Sequence, residues 1–224
     1  VNLTEFKKEF QTTYDMSSYG APDLNNYEIS LFLTKAVRQY IDEVYRQFEF
    51  TEYIKRGLGP LIKEEALTIS DAEDYFDNMN VYECNLPGDL FYIAQENIKL
   101  NNKKGRYEII PEDLDWINKS MKNPFRRPNK SKIYRTEIGS NKVRLYSSEK
   151  VTHYKLKYIK KYSPIVLVDF TKDVDLLGDE TIEGISKPTL TELPNFIHPS
   201  LVDRAVVLAI KSFRENTLQT QIEV

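Results

Sequence analysis

The apolar residues of this chain change their period twice, and the order of those changes restricts the fold class. Ile29, Phe32, Leu33, Ala36, Val37, Tyr40, Ile41 and Val44 recur every three or four residues, a helical stripe sustained over about five turns. It starts near Asn25 or Asn26. A shorter helix precedes it: Asn2 and Glu5 have the spacing of a capping box, and Leu3, Phe6, Phe10 and Tyr14 follow on one face. Gly20 and Pro22 separate the two. A short helix is expected from Thr51 to Arg56, stopped by Gly57-Leu58-Gly59-Pro60. From about Leu61 the period falls to two. After Pro199, well suited to a first helical position, helical spacing returns with Leu201, Val202, Ala205, Val206, Leu208, Ala209 and Phe213. Helices, a β-rich middle and a closing helix spell an α+β fold by segregation. The expected architecture packs the N- and C-terminal helices together and inserts an antiparallel β-rich domain between them. The helical part is residues 1–60 completed by 199–216. The β-rich part is residues 61–198, with one short helix near 112–122.

Within that middle, "PLIKEEALTIS" and "NVYECNLP" read as short extended pieces around the acidic "SDAEDYFDN". The stretch "GDLFYIAQENIKLNNKKGRYEIIP" predicts a hairpin, with strands 90–100 and 106–110 joined through 101–105. From Glu112 to Lys122 a short helix is expected, with Leu114, Ile117 and Met121 on one face and Trp116 nearby. Pro124 and Pro128 bound a fixed loop. "SKIYRTEI" and "KVRLYS" flank Gly139-Ser140-Asn141, a three-residue connection that suits a hairpin with a bulge. "HYKLKYIKKY" alternates without a break: His153, Lys155 and Lys157 on one face, Tyr154, Leu156 and Tyr158 on the other. "PIVLVDF" suits a more buried strand, and "TKDVDLLGDETIEGIS" a loop.

Charge is segregated along the chain. The net charge is −3, yet Lys99 to Lys161 holds 18 Lys/Arg against 6 Asp/Glu, and the remainder 13 against 28. The basic region includes "NPFRRPNKSKIYRTEIGSNKVRLYSS". Three readings suit it: a nucleic-acid surface, a surface for an acidic partner, or a solvated sheet face. Basic and aromatic residues interleave at Tyr134-Arg135, at Arg144-Leu145-Tyr146 and from Tyr154 to Lys161, a composition that can hold a phosphate backbone without sequence preference.

Recognisable chemistry is not expected. The single cysteine, Cys84, rules out an intrachain disulfide, and with only His153 and His198 beside it there is no zinc set. The acidic run Asp71, Glu73, Asp74, Asp77 lacks the glycine and terminal glutamate of a calcium loop. Gly57-Leu58-Gly59-Pro60 is not followed by the Gly-Lys-Ser/Thr of a phosphate-binding loop, and no G-x-S-x-G elbow occurs. Neither histidine has a neighbouring nucleophile, and His198 suits a helix-start or packing residue. Catalytic, metal and cofactor residues are therefore expected to be absent. No apolar run reaches the roughly 18 residues of a membrane helix, and the opening "VNLTEFKKEF" is amphipathic and charged, unlike a signal peptide.

Six stretches, in order and spanning nearly the whole chain, carry a resemblance: "LTEFKKEF", "LNNYEISLFLTKAVRQYIDEVY", "LPGDLFYIAQENIKLN", "NPFRRPNKSKIYRTEI", "YKLKYIKKYSPIVLVD" and "ELPNFIHPSLVDRAVVLAI". Together they resemble the virion structural proteins of crAss-like tailed phages, some of which are ring (adaptor) proteins of the head-to-tail connector. The chain departs from that pattern at Arg127, where glycine is usual, and at Pro199-Ser200, where acidic residues are. The resemblance implies a non-enzymatic subunit of a homo-oligomeric ring, usually a dodecamer, between portal and tail. DNA passes through the lumen of such a ring. Its partners are copies of itself, the portal protein and neighbouring ring or tail proteins. Its place is the virion, reached from the host cytoplasm during assembly, with no membrane and no cofactor. The candidate assembly interface is Phe125, Arg126, Arg127, Lys130, Arg135, Arg144, Lys155 and Lys157. The alternatives are another tail or capsid-attached virion protein, and a nonspecific nucleic-acid-binding protein.

Overall fold

The computed structural model describes residues 2–17, 22–46, 56–72, 79–101, 107–139, 141–173 and 180–222, the side chains of 108 and 215–222 apart. The helix expected over Thr51–Arg56 and much of the acidic stretch fall largely outside these residues. The chain divides into two compact units, Val1–Leu61 with Tyr162–Val224, and Ile62–Lys161. The fold is α+β with an inserted β-rich domain, and the insertion ends at Lys161, earlier than the 198 expected.

The first unit is built on α1 (Leu3–Ser17), α2 (Asn26–Arg46) and the closing helix His198–Ile222. Asn2 and Glu5 form the reciprocal capping box, each side chain accepting the other's backbone N–H at 2.8 Å. Asn25 and Glu28 repeat it ahead of α2 at 2.8 and 2.9 Å. The apolar stripes then meet. Phe6 and Phe10 of α1, Leu33, Ala36, Val37 and Ile41 of α2, and Leu201 and Ala205 of the closing helix are all fully buried. Gly57 sits tightly in this packing: a Cβ there would lie 2.8 Å from the Tyr40 hydroxyl and 3.0 Å from Ile197 Cδ1, so one of those side chains would have to shift. His198 opens the closing helix as a buried packing residue. Its ring lies 4.7 Å from that of Phe6, and Nε2–H donates to the Leu193 carbonyl at 2.9 Å.

"PIVLVDF" is buried and extended but is not a strand of either sheet; its one β contact is the bridge between Val166 and Thr189. The hydroxyls of α2 take the place of a sheet partner. Ser30 Oγ accepts the N–H of Leu167 at 3.1 Å and donates to the Asn26 carbonyl at 2.7 Å. Thr34 Oγ1 accepts the N–H of Ile165 at 3.0 Å. Hydroxyls on a helix can satisfy buried amides that would otherwise require a ladder.

The inserted unit is a two-sheet sandwich with one helix on its outer face. Its strands are β1 (Ile62–Leu67), β2 (Ile69–Asp71), β3 (Asn80–Asn85), β4 (Leu90–Leu100), β5 (Glu108–Pro111), β6 (Lys132–Ile138), β7 (Lys142–Ser147) and β8 (Val151–Lys160), and its helix is α3 (Leu114–Lys122). The closing helix is hereafter α4. One sheet has the order β1-β8-β4 and the other β2-β3-β7-β6-β5. All pairs are antiparallel except β5 with β6. β8 alternates as its sequence requires: Tyr154, Leu156 and Tyr158 face the inter-sheet core with Tyr82, Cys84, Ile133, Val143 and Leu145. Tyr134 and Tyr146 point the other way, against Ile117 and Met121 of α3. The β6–β7 hairpin turns at Gly139, whose φ of 65° suits a residue without a Cβ.

The hairpin predicted between strands 90–100 and 106–110 does not form. β4 pairs with β8, Ile98 opposite Tyr154, while β5 runs parallel to β6 in the other sheet, Ile110 opposite Tyr134. The physical reason is length and burial. An eleven-residue strand matches the ten residues of β8, whereas the four of β5 place Ile109 toward the inter-sheet core and Ile110 toward α3.

Replacing Thr34 with Val should leave the Ile165 amide buried and unsatisfied, and lower stability in urea unfolding by about 1–3 kcal/mol. Burial, partly offset by the Leu193 carbonyl, holds the His198 imidazole below its ordinary 6.5. The unfolded chain therefore binds the proton more readily, and stability should fall as pH drops below 6.5. A His198→Gln chain should lose less over the same interval, and equal losses would contradict this.

Candidate assembly interface

The eight residues singled out on sequence do not share one surface. Arg135, on β6, is 8% exposed and points between the sheets. Its Nε lies 3.5 Å from Glu96 Oε1 and its Nη1 3.5 Å from Glu137 Oε1. Among the described residues neither nitrogen makes a hydrogen bond. Glu96 also accepts the Tyr154 hydroxyl. Burial raises the pKa of the Glu96 carboxyl, against the pull of Arg135, and raises that of the Tyr154 phenol, with Glu96 adding to it.

Arg144 stands opposite Glu83 in the β3–β7 register. Its Nε donates to Glu83 Oε1 at 3.1 Å and its Nη2 reaches the same oxygen, which holds the Glu83 carboxyl below its ordinary range. Lys155, on the outward face of β8, pairs with Glu64 of β1 and lowers that carboxyl's pKa. Lys157 is half-buried and sits directly across from Glu64 in register. Arg135, Arg144 and Lys155 thus meet counter-charges inside the unit, and Lys157 faces the Glu64 that Lys155 already holds. Cross-strand ion pairs of this kind reduce the net charge that a basic sheet face presents.

Phe125, Arg126, Arg127 and Lys130 differ: all four are exposed on the loop that follows α3. Its backbone is pinned at many points. Asn123 Oδ1 accepts the N–H of Phe125 at 3.0 Å, and the Asn123 carbonyl accepts those of Arg126 and Arg127 at 3.0 Å. Arg127 Nε donates to the Met121 carbonyl at 2.7 Å, and the Tyr134 hydroxyl donates to the carbonyl of Arg126. Asn129 Oδ1 takes the amides of Ser131 and Lys132 at 2.8 and 3.0 Å. From this braced loop the Phe125 side chain projects, 95% exposed.

Two neighbours were not foreseen. Leu114 was expected on the packed face of α3 but is 55% exposed, and Trp116 is 47% exposed, with the Lys119 ammonium 4.7 Å from its ring centroid. The nine-residue helix rests on Ile117, Ser120 and Met121 instead. Leu114 lies one turn earlier, where the sheet beneath gives way to a cavity of about 320 Å³ lined by Pro111, Glu112, Asp113, Leu114, Arg135 and Glu137. The parallel pairing of Pro111 with Arg135 brings those residues together. No local sequence signal joins 112 to 137. Among the described residues no group of His, Cys, Asp or Glu is placed to hold a metal ion, and no helix is long and apolar enough to cross a membrane.

An exposed aromatic on a rigid loop, beside further exposed apolar residues and charges of both signs, is the equipment of a protein that binds proteins. The profile of the phage tail ring protein 3/4 family matches residues 1–221, and the chain belongs to that family of crAss-like phage ring structural proteins. Two relatives come from Bacteroides phage crAss001. The chain is 34% identical to "Ring protein 4/5" over 247 aligned positions, covering 100% of this chain and 98% of the relative. It is 30% identical to "Ring protein 3" over 227, covering 93% and 94%.

Removing one member of the Arg135–Glu96 pair strands a buried charge. Arg135→Met or Glu96→Leu alone should cost about 3–5 kcal/mol in urea unfolding, and the double replacement should recover most of that loss. A double variant as unstable as the sum of the singles would contradict a buried, mutually dependent pair.

Proposed function

We propose that this chain is a subunit of a closed homo-oligomeric ring in the head-to-tail connector of a tailed phage, between portal and tail, with DNA passing through the lumen. The ring is a dodecamer by analogy with connector proteins. It is built in the host cytoplasm onto the portal protein or a neighbouring ring, and carries out no chemistry. Family membership supports the ring itself. The observation that favours assembly over DNA gripping is the distribution of positive charge. Arg135, Arg144 and Lys155 are matched within the inserted unit, whereas Phe125, Arg126, Arg127 and Lys130 stand together on an exposed, braced loop. That loop is the assembly contact.

Reversing Arg126, Arg127 and Lys130 to Glu should abolish ring assembly, scored by negative-stain microscopy with the portal protein of the same genome, while lowering the unfolding midpoint only by the loss of the Arg127–Met121 hydrogen bond. Intact assembly would overturn the loop's role. Tight duplex-DNA binding that weakens steeply with salt, and is lost in the same variant, would favour the nucleic-acid reading.

A further inference from the structure

The two ends of α3 carry opposite halves of a contact. At its C-terminal end is the 123–131 loop, with Phe125 followed by two arginines. At its N-terminal end is the cavity lined by Pro111 and Leu114 and by the carboxylates of Glu112, Asp113 and Glu137. Resting on the ring reading, we propose that the loop is a finger that inserts Phe125 into this cavity on a second copy of the chain. Arg126 and Arg127 then meet Glu112 and Asp113.

Four observations carry the proposal. First, the finger is preformed. Its backbone hydrogen bonds are made within the subunit, so docking orders little beyond the Phe125 ring and the arginine tips. Second, Phe125 does not occupy its own subunit's cavity, since it is 95% exposed. The helix between finger and cavity rises about 13 Å over its nine residues. Third, the cavity matches the finger chiefly in charge. Pro111 and Leu114 supply a small apolar wall, and the carboxylates of Glu112 and Asp113 stand beside it where two arginines arrive. Arg135 in the lining already faces Glu96 and Glu137, which leaves Glu112 and Asp113 for the entering pair. Its desolvated guanidinium can lie against an aromatic face. Fourth, of the six large apolar side chains exposed among the described residues, Leu114, Trp116 and Phe125 belong to α3 and its loop. Clustering of this kind marks an interface centre.

The direction of the contact matters. Finger and cavity are different patches of one unit, so each copy gives one and receives one. Such a heterologous contact propagates head to tail and closes into a ring when its rotation allows.

The test places a benzophenone-bearing phenylalanine at position 125 of the full-length chain, which keeps the aromatic anchor. Isotopically light and heavy chains are mixed, with and without portal protein, and irradiated. The expected product joins position 125 of one chain to residues 111–114 of another. Phe125→Ala is expected to weaken self-association about tenfold, with an unchanged unfolding midpoint. Glu112→Lys should weaken wild-type association too, and restore it with a partner carrying Arg126→Glu. Oligomers that form without the bridge from 125 to 111–114, or a Phe125→Ala chain that associates as tightly as wild type, would overturn the finger contact and leave the ring reading standing. No oligomer under either condition would overturn both.

Discussion

Strand β8 is the member on which the inserted unit depends. It is hydrogen-bonded to β1 on one side and β4 on the other, so its side chains have only two directions. Tyr154, Leu156 and Tyr158 must fill the space between the sheets, and His153 and Lys155 must face away from it. The rest follows from what the three inward residues demand. The Tyr154 hydroxyl is satisfied by Glu96, and Glu96 in turn faces Arg135 on the opposite sheet. The Tyr158 hydroxyl donates to Asp89 at 2.9 Å, and Asp89 is also bound by Lys63 at 2.6 Å. A slip of one residue in β8 would bury lysines and expose tyrosines, so register and core are specified together.

The same constraint accounts for the charge asymmetry of the chain. A stretch with so many more lysines and arginines than acids looks like a surface built for an anionic polymer, but strands are read along the sequence and neutralised across it. Glu64 and Glu83 lie outside the basic stretch in sequence and beside it in space. Once these pairs are made, the positive charge that remains grouped with exposed apolar surface is on the loop after α3. An assembly contact of charged rim around an aromatic anchor gains specificity from the charges and much of its binding energy from the anchor.

How much of this could be read from sequence depended on whether the signal was local. The stripe from Ile29 to Val44, the capping box of Asn2 and Glu5, the alternation of β8 and the hairpin at Gly139 are each set within a dozen or so residues, and each formed. The β4–β5 hairpin did not, because proximity along the chain favours it while burial of Ile109 and Ile110 on opposite faces of the other sheet favours β5 beside β6. "PIVLVDF" reads as a strand by composition, but the amides of Ile165 and Leu167 are taken by hydroxyls on a helix more than a hundred residues away. Phe125, Arg126 and Arg127 were legible as a prominent loop between two prolines, with Lys130 just beyond the second. Arg135 was legible only as a charge, since its burial depends on Glu96 and Tyr154. The cavity at the start of α3 had no sequence signature at all, because parallel pairing of β5 with β6 brings its acids together.

The mass of the full-length chain in solution, alone and with the portal protein of the same genome, tests assembly most directly. A ring-forming subunit should appear as a closed oligomer by itself or as a stoichiometric complex on the portal. A chain that stays monomeric, ignores the portal and instead retards duplex DNA at low salt would contradict a ring assembled through this surface.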